Sequence, residues 1–260
     1  VGHDIPMKEE DKIYKPLKNV FGLSRKDNQS FANSELIWSG YTSFDMNLAE
    51  EQDHTYSVAN CLATLWQNHV DSCNLPDLYI IQIAIGAQGV TEGYMWYPDR
   101  KETLVSGKLG TVDISLFPFC EHIFSLLHDS FSKMNIDYDI IGLHWRGGEN
   151  DVTATNEYLT QNLEKIYTRI FGEFNRLLGE PPIVLHRIVC PDRMNDMDPT
   201  GRQLENMKYI NEVFENLPNN EARQIVVWNP GCGKGYETYS LACILKKKYP
   251  DARIKIYAHE

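Results

Sequence analysis

The last 34 residues, Val227–Glu260, constrain the fold most, because they follow the pattern of a strand, a glycine-rich turn, a helix and a second strand. The apolar run Gln224–Trp228 leads into the turn, which holds Gly231, Gly233 and Gly235. Glycines at such positions allow a tight turn whose backbone can approach a ligand closely. The pattern predicts the first βαβ unit of a nucleotide-type binding fold, although a glycine-rich turn is also compatible with a plain βα connection.

The rest of this segment supports the same interpretation. A helix is expected from about Tyr236, with apolar residues on one face and lysines in its last turn, where they interact favourably with the helix dipole. The run Tyr249–Asp251 contains a proline and ends the helix, and Arg253–Ala258 is the second strand. Glu260 follows, at the position where folds of this type hydrogen-bond ribose hydroxyls.

Strand and helix patterns also alternate through the preceding residues. Helices are predicted over Tyr56–Val70, Phe119–Met134, Asn156–Leu178 and Gly201–Leu217, and strands over Leu78–Ile85, Tyr138–Trp145 and Pro182–Val189. This alternation predicts an α/β fold, in which a parallel sheet carries helices on both faces as a three-layer sandwich and a Rossmann-like βαβ unit follows it. The polar run Pro218–Glu221 is the best linker, so we expect domains over residues 1–217 and 222–260.

The charge and composition of the chain argue against several classes of function. The chain has 260 residues and a formal net charge of −11, which argues against a nucleic-acid partner. Its six cysteines form no Cys-x-x-Cys pair and have no histidine at zinc-site spacing, so we expect no metal and reduced thiols in a cytoplasmic protein. No apolar run approaches the roughly 20 residues of a membrane span, and no signal peptide begins the chain, whose N-terminus we expect to be truncated.

Two predicted strands end in polar, glycine-containing loops. Gly86–Gly89 follows one strand and offers backbone N–H groups that could stabilise an oxyanion. Arg146–Asp151 follows the next and carries three polar residues after two glycines. Because the carboxyl ends of parallel strands share one edge of the sheet, we expect both loops to lie at the same ligand-binding edge.

The glycine-rich turn near the C-terminus resembles the first motif of the CheR chemotaxis methyltransferases. The positions that match this motif are Gly231, Cys232, Gly235, Glu237, Tyr239, Ser240 and Ala242, and those that depart from it are Gly233, Lys234, Tyr236 and Thr238. The resemblance implies S-adenosylmethionine bound by the turn glycines, Glu237 and Glu260, and methyl transfer to glutamates of a chemoreceptor. Only the first βαβ unit is present, so we expect a piece of a larger protein that is not a competent methyltransferase alone.

The two strand-end loops and the first residues resemble the SGNH hydrolases, in their carbohydrate and sialate O-acetylesterase branch, over about residues 1–215. The third block of that branch, Trp-His-Gln-Gly-Glu-Ser-Asp, is similar to Trp145–Asp151, and its second block is similar to Ala84–Gly89 followed by Trp96. Val1–His3 resembles the end of the first block, which would place the nucleophilic serine before Val1.

The hydrolase resemblance implies a site for an acylated sugar or another small ester. It makes Gly86, Gly89 and Asn150 the oxyanion-hole candidates, and Arg146, Glu149 and Trp96 the substrate-binding candidates. The chain departs from the family in Gly147, which replaces a glutamine, and in lacking the Asp-x-x-His block. The first functional hypothesis is therefore an esterase-like domain joined to the start of a methyltransferase. The alternatives are a methyltransferase whose SGNH-like domain is a non-catalytic sugar-binding or docking module, and a non-enzymatic protein whose strand-end loops recognise an acylated sugar.

Several polar and aromatic residues of these segments could have structural roles instead of functional ones. His144 and His186 each fall within an apolar strand pattern, which favours histidines of the core or the sheet end over catalytic ones. Arg146 and Glu149 could form a loop ion pair, and Trp96 could belong to the edge of the core.

Overall fold

A computed structural model describes residues 6–50, 57–100, 115–188, 200–217, 224–230, 242–247 and 253–259. These residues form helices and small sheets, which confirms the predicted α/β class. The chain divides into two compact units, Val1–Tyr138 with Gly148–Asp151 and Asp139–Gly147 with Val152–Glu260. The domain boundary between residues 217 and 222 stays a prediction.

A three-stranded sheet organises the first unit. Strand β1 (Val20–Leu23) lies in the centre, antiparallel to β2 (Trp38–Gly40) and parallel to β3 (Leu78–Ile80). The side chains of Val20 and Leu23 are fully buried, so the sheet forms one wall of the core. The β1–β2 pair is antiparallel, and neither of these two strands was predicted from the sequence.

The helices of the first unit begin and end where local side chains allow it. They are α1 (Arg25–Asn28), α2 (Val58–Cys73), α3 (Leu116–Ser125) and α4 (Leu127–Lys133), with a short 3-10 helix at Glu9–Asp11. Helix α2 begins at Ser57, whose side chain accepts a hydrogen bond from the Asn60 N–H, and ends at Asn74 in the left-handed conformation. The single helix predicted over residues 119–134 is instead two helices that meet at Leu126.

The second unit contains a parallel pair of strands with two packed helices. Strand β4 (Leu143–Trp145) pairs with β5 (Ile183–Leu185), and helices α5 (Asn156–Leu178) and α6 (Arg202–Asn216) contact each other. The bounds of α5 agree with the prediction. The aromatic core of the second unit consists of four residues whose rings stack or meet edge to face, Trp145, Tyr167, Phe171 and Phe214.

The C-terminal part of the second unit contains two further parallel strands. Strand β6 (Gln224–Pro230) pairs with β7 (Arg253–His259) from one end to the other, and a helical segment at 242–247 lies between them in sequence. Parallel strands that are joined through a helix form a βαβ unit, as the sequence predicted.

The described strands belong to three separate small sheets. The three-layer sandwich therefore stays a prediction. In the part of the chain that the structure describes, no helix is both long and apolar enough to cross a membrane.

Candidate functional site

The carboxyl ends of β6 and β7 define the first candidate site. Pro230 pairs with His259, so the two strands end side by side. Ligands of open α/β sheets bind outside such an edge, next to the first glycine-rich turn. The residues predicted to bind the cofactor lie outside the described residues: Gly231, Gly233, Gly235, Glu237 and Glu260. Their role in cofactor binding stays a prediction.

The second candidate site lies in the segment that follows β3. The sequence predicted a strand over Leu78–Ile85, but β3 ends at Ile80 and only an isolated bridge joins Gln82 to Asn47. The Asn47 side chain accepts a hydrogen bond from the Ala84 N–H at 2.8 Å and donates one to the Ala84 carbonyl at 2.7 Å. A side-chain amide thus satisfies the backbone groups that a neighbouring strand would otherwise pair.

The loop that follows is held by side chains of the same unit. The Gly86 N–H, a predicted oxyanion donor, donates to Glu50 Oε2 at 2.7 Å. Ala87 has a φ of 57°, which turns the chain, and Gln88 Oε1 accepts a hydrogen bond from the Met95 N–H at 3.1 Å. The carboxylate of Glu50 therefore occupies the place that an oxyanion would take at Gly86.

Asp151 binds the far end of this loop. Its carboxylate is fully buried, and both oxygens accept from the Val90 N–H, at 3.0 and 3.1 Å. Oδ1 also accepts from the Thr91 N–H at 3.0 Å. Gly89 packs so closely against this carboxylate that an added Cβ would lie 2.4 Å from Asp151 Oδ1. Only glycine fits at position 89 without a shift of the neighbouring carboxylate.

The electrostatics of Asp151 result from opposing effects. Burial raises the pKa of the Asp151 carboxyl group above its ordinary value, and the N–H groups of Thr91 and Val90 oppose that rise. The nearby charge of Glu149 raises the pKa further, and the net shift is upward. The site thus holds a carboxyl group in which proton loss is disfavoured although it accepts backbone hydrogen bonds.

The two loops that the sequence placed at one edge do meet. Asn150 Nδ2 donates to the Gln88 carbonyl at 3.3 Å, next to the contact between Asp151 and Val90. The predicted oxyanion donors Gly86 and Asn150 thus bond to groups of the chain itself. The sequence indicated Asp151 only as one of three polar residues in its loop. Its role as an acceptor for backbone N–H groups could have been inferred from an acid in one loop and a glycine-rich segment that offers such groups in the other.

The predicted substrate-binding residues have different degrees of exposure. Arg146 is exposed directly after β4. Glu149 is half-buried in the loop that ends at Asp151, and Trp96 is half-buried in a turn in which the Tyr97 N–H donates to the Tyr94 carbonyl at 3.1 Å. Substrate binding by these residues stays a prediction.

Two histidines lie at the end of the β4–β5 pair. His144 is exposed on β4 and His186 follows β5 directly, so of the two structural positions predicted for them, core or sheet end, they have the second. Their ring centroids are 5.7 Å apart. Partial burial lowers the pKa of His144, and the proximity of His186 lowers it further.

The comparisons with known proteins concern the C-terminal part of the chain. No curated protein and no solved structure matches the chain. The comparisons give no evidence for the SGNH hydrolase resemblance, which stays a prediction. A family model, the CheR methyltransferase, SAM binding domain, matches residues 202–260, a range that begins with the first residue of α6. This part of the chain is therefore similar to the cofactor-binding domain of CheR methyltransferases.

Proposed function

We propose that residues 202–260 form the S-adenosylmethionine-binding part of a CheR-type methyltransferase that methylates protein glutamates. The family match over these residues carries the proposal. The parallel β6–β7 pair supports it, because it supplies the adjacent strand ends that a nucleotide-type cofactor requires. The family resemblance points to a chemoreceptor as the protein substrate.

The chain's own residues would bind and orient the cofactor. Gly231, Gly233 and Gly235 would let backbone N–H groups approach the cofactor closely, and Glu260 would accept hydrogen bonds from its ribose hydroxyls. When bound, S-adenosylmethionine would supply an electrophilic methyl group, which would pass from its sulfonium sulfur to a glutamate carboxylate oxygen and leave the neutral thioether S-adenosylhomocysteine.

Isothermal titration of the whole chain with S-adenosylmethionine tests this proposal. We expect binding, and we expect Glu260→Ala to weaken it by roughly 5- to 150-fold, because the loss of a buried hydrogen-bond acceptor costs about 1–3 kcal/mol. Glu212→Ala, which removes an exposed acid from α6, is the matched control and should bind as the wild type does. Absence of any binding by the wild type would overturn the proposal, whereas equal affinities for the two variants would remove only Glu260 from the site.

We also propose that residues 1–217 recognise an acylated sugar or a similar small ester without hydrolysing it. The meeting of the loop at Gly86–Thr91 with Asn150 and Asp151 supports a ligand-binding edge. Because Gly86 donates to Glu50 and Asn150 donates to Gln88, the loop favours binding over oxyanion stabilisation.

A fluorophosphonate probe distinguishes binding from hydrolysis. We expect no serine adduct by peptide mass spectrometry, together with saturable chemical-shift changes at Gly86–Thr91 on titration with an O-acetylated sugar. An adduct on any serine would indicate an active hydrolase, and unchanged loop resonances would refute ligand binding.

A further inference from the structure

The carboxyl end of the β4–β5 pair brings two imidazoles together, that of the exposed His144 and that of the half-buried His186. His144 pairs in register with Val184, and the His186 N–H donates to the Trp145 carbonyl at 3.1 Å. His186 is therefore two residues further along the neighbouring strand than the register partner of His144. Since side chains alternate between the faces of a strand, both histidines lie on the same face, as diagonal neighbours.

The distance between the rings suits a shared metal ion. A zinc–nitrogen bond of about 2.0–2.1 Å places the metal roughly 3.2 Å from the centre of each imidazole ring. At a tetrahedral angle, the two ring centres would then lie about 5.2 Å apart. The observed centroids are 5.7 Å apart and the ring planes are tilted by 42°, so rotation of the side chains would have to accompany metal binding.

We propose that His144 and His186 form a two-histidine site for a borderline transition-metal cation of the zinc, nickel or copper type. Imidazole nitrogen is a preferred ligand of these ions. Each ring ligates through one nitrogen and keeps the other for a hydrogen bond, so other contacts of His186 within the chain are compatible with the site. The 42-residue separation of the two histidines explains why no sequence motif indicated the pair.

The coordination would be open. Among the described residues, no group of three or more His, Cys, Asp or Glu side chains could hold a metal ion, so water or an external ligand completes the sphere. Arg146 and Arg187 follow the two histidines closely in sequence and are exposed, so solvent and salt screen their repulsion of a cation. The site lies near the carboxyl ends of parallel strands, where an open coordination position could receive a ligand.

Calorimetric titration of the metal-free whole chain with Zn²⁺ tests the site. We expect His144→Gln and His186→Gln each to weaken zinc binding by at least about tenfold, the scale on which loss of a ligating or supporting contact acts. His128→Gln is the matched control, because His128 is an exposed histidine of α4, and it should leave the titration unchanged. Thermal unfolding followed by circular dichroism would show that all three variants are folded.

A second readout locates the metal. Paramagnetic Co²⁺ should broaden the backbone amide resonances of Leu143–Trp145 and Ile183–Leu185 first. The proposal is overturned if the wild type binds no zinc, if either strand variant binds as tightly as the wild type, or if the broadening is centred elsewhere.

Discussion

Asp151→Ala should loosen the contact between the loop at Gly86–Thr91 and the residues after β4. The substitution removes the carboxylate that accepts hydrogen bonds from the Val90 and Thr91 N–H groups, both of which belong to buried residues. A buried donor that loses its partner costs about 1–3 kcal/mol, so two donors cost about 2–6 kcal/mol. Removal of a carboxylate whose burial disfavours its charge offsets part of that cost, and we expect a net loss of about 2–4 kcal/mol.

The stability that Asp151 contributes should change with pH in a direction set by the shift of its pKa. Burial raises the pKa of Asp151 in the folded state, so its contribution to stability is fully present below the unfolded-state pKa of about 4. That contribution is lost as the pH rises through the folded-state pKa. Asp151→Asn cannot ionise, so the stability advantage of the wild type over this variant should shrink as the pH rises from about 4.

Urea denaturation of the wild type and Asp151→Asn across this pH range measures the difference, because the other carboxyl groups titrate alike in both proteins. Hydrogen exchange at the Val90 and Thr91 amides in Asp151→Ala reports the loop directly. A difference in unfolding free energy that is constant with pH, or wild-type exchange at both amides, would refute the reasoning.

Gly89→Ala should lower the urea midpoint of unfolding, because the added Cβ would lie 2.4 Å from a buried carboxylate oxygen. Gly172 in α5 is exposed and has open space around it, so Gly172→Ala should instead raise the free energy of unfolding by about 0.5–1 kcal/mol. Asn211→Ala should cost about 1–3 kcal/mol in urea, since the buried Asn211 side chain bonds both backbone groups of Ile188. By NMR titration, His144 should have a pKa below about 6.5 that rises in His186→Gln, and its contribution to stability should be lost as the pH falls through that lowered pKa.

The periodicity of apolar residues predicted correctly the bounds of a helix whose ends are fixed by neighbouring capping residues. Helix α5 agrees at both bounds because Thr155 caps its start and Gly179 adopts the left-handed conformation at its end. The strand after Leu78 was predicted too long because the partner of Ala84 is the side chain of Asn47, 37 residues away. Apolar patterning gives no information about such a contact.

The sequence likewise predicted some features of the candidate sites and missed others. The convergence of the loops at Gly86 and Asn150 followed from the rule that parallel strands end at one edge. The acceptors of the N–H groups in the Gly86–Thr91 loop did not follow, because Glu50 reaches it from an earlier segment of the chain and Asp151 reaches it from the other loop. The closeness of His144 to His186 likewise depends on which strands pair and in which register.

Helix α6 bears on where the methyltransferase-like part begins. The family match starts at Arg202, yet the buried Asn206 donates to the carbonyls of Val152 and Ala154, at 2.9 Å each. Phe214 also packs edge to face on Tyr167, with ring centroids 4.9 Å apart. A cut before α6 would leave these carbonyls without their donor and expose the aromatic core of the second unit. The first helix of the match is thus a structural part of the segment that precedes it, and the two cannot be separated at residue 202 without loss of stability.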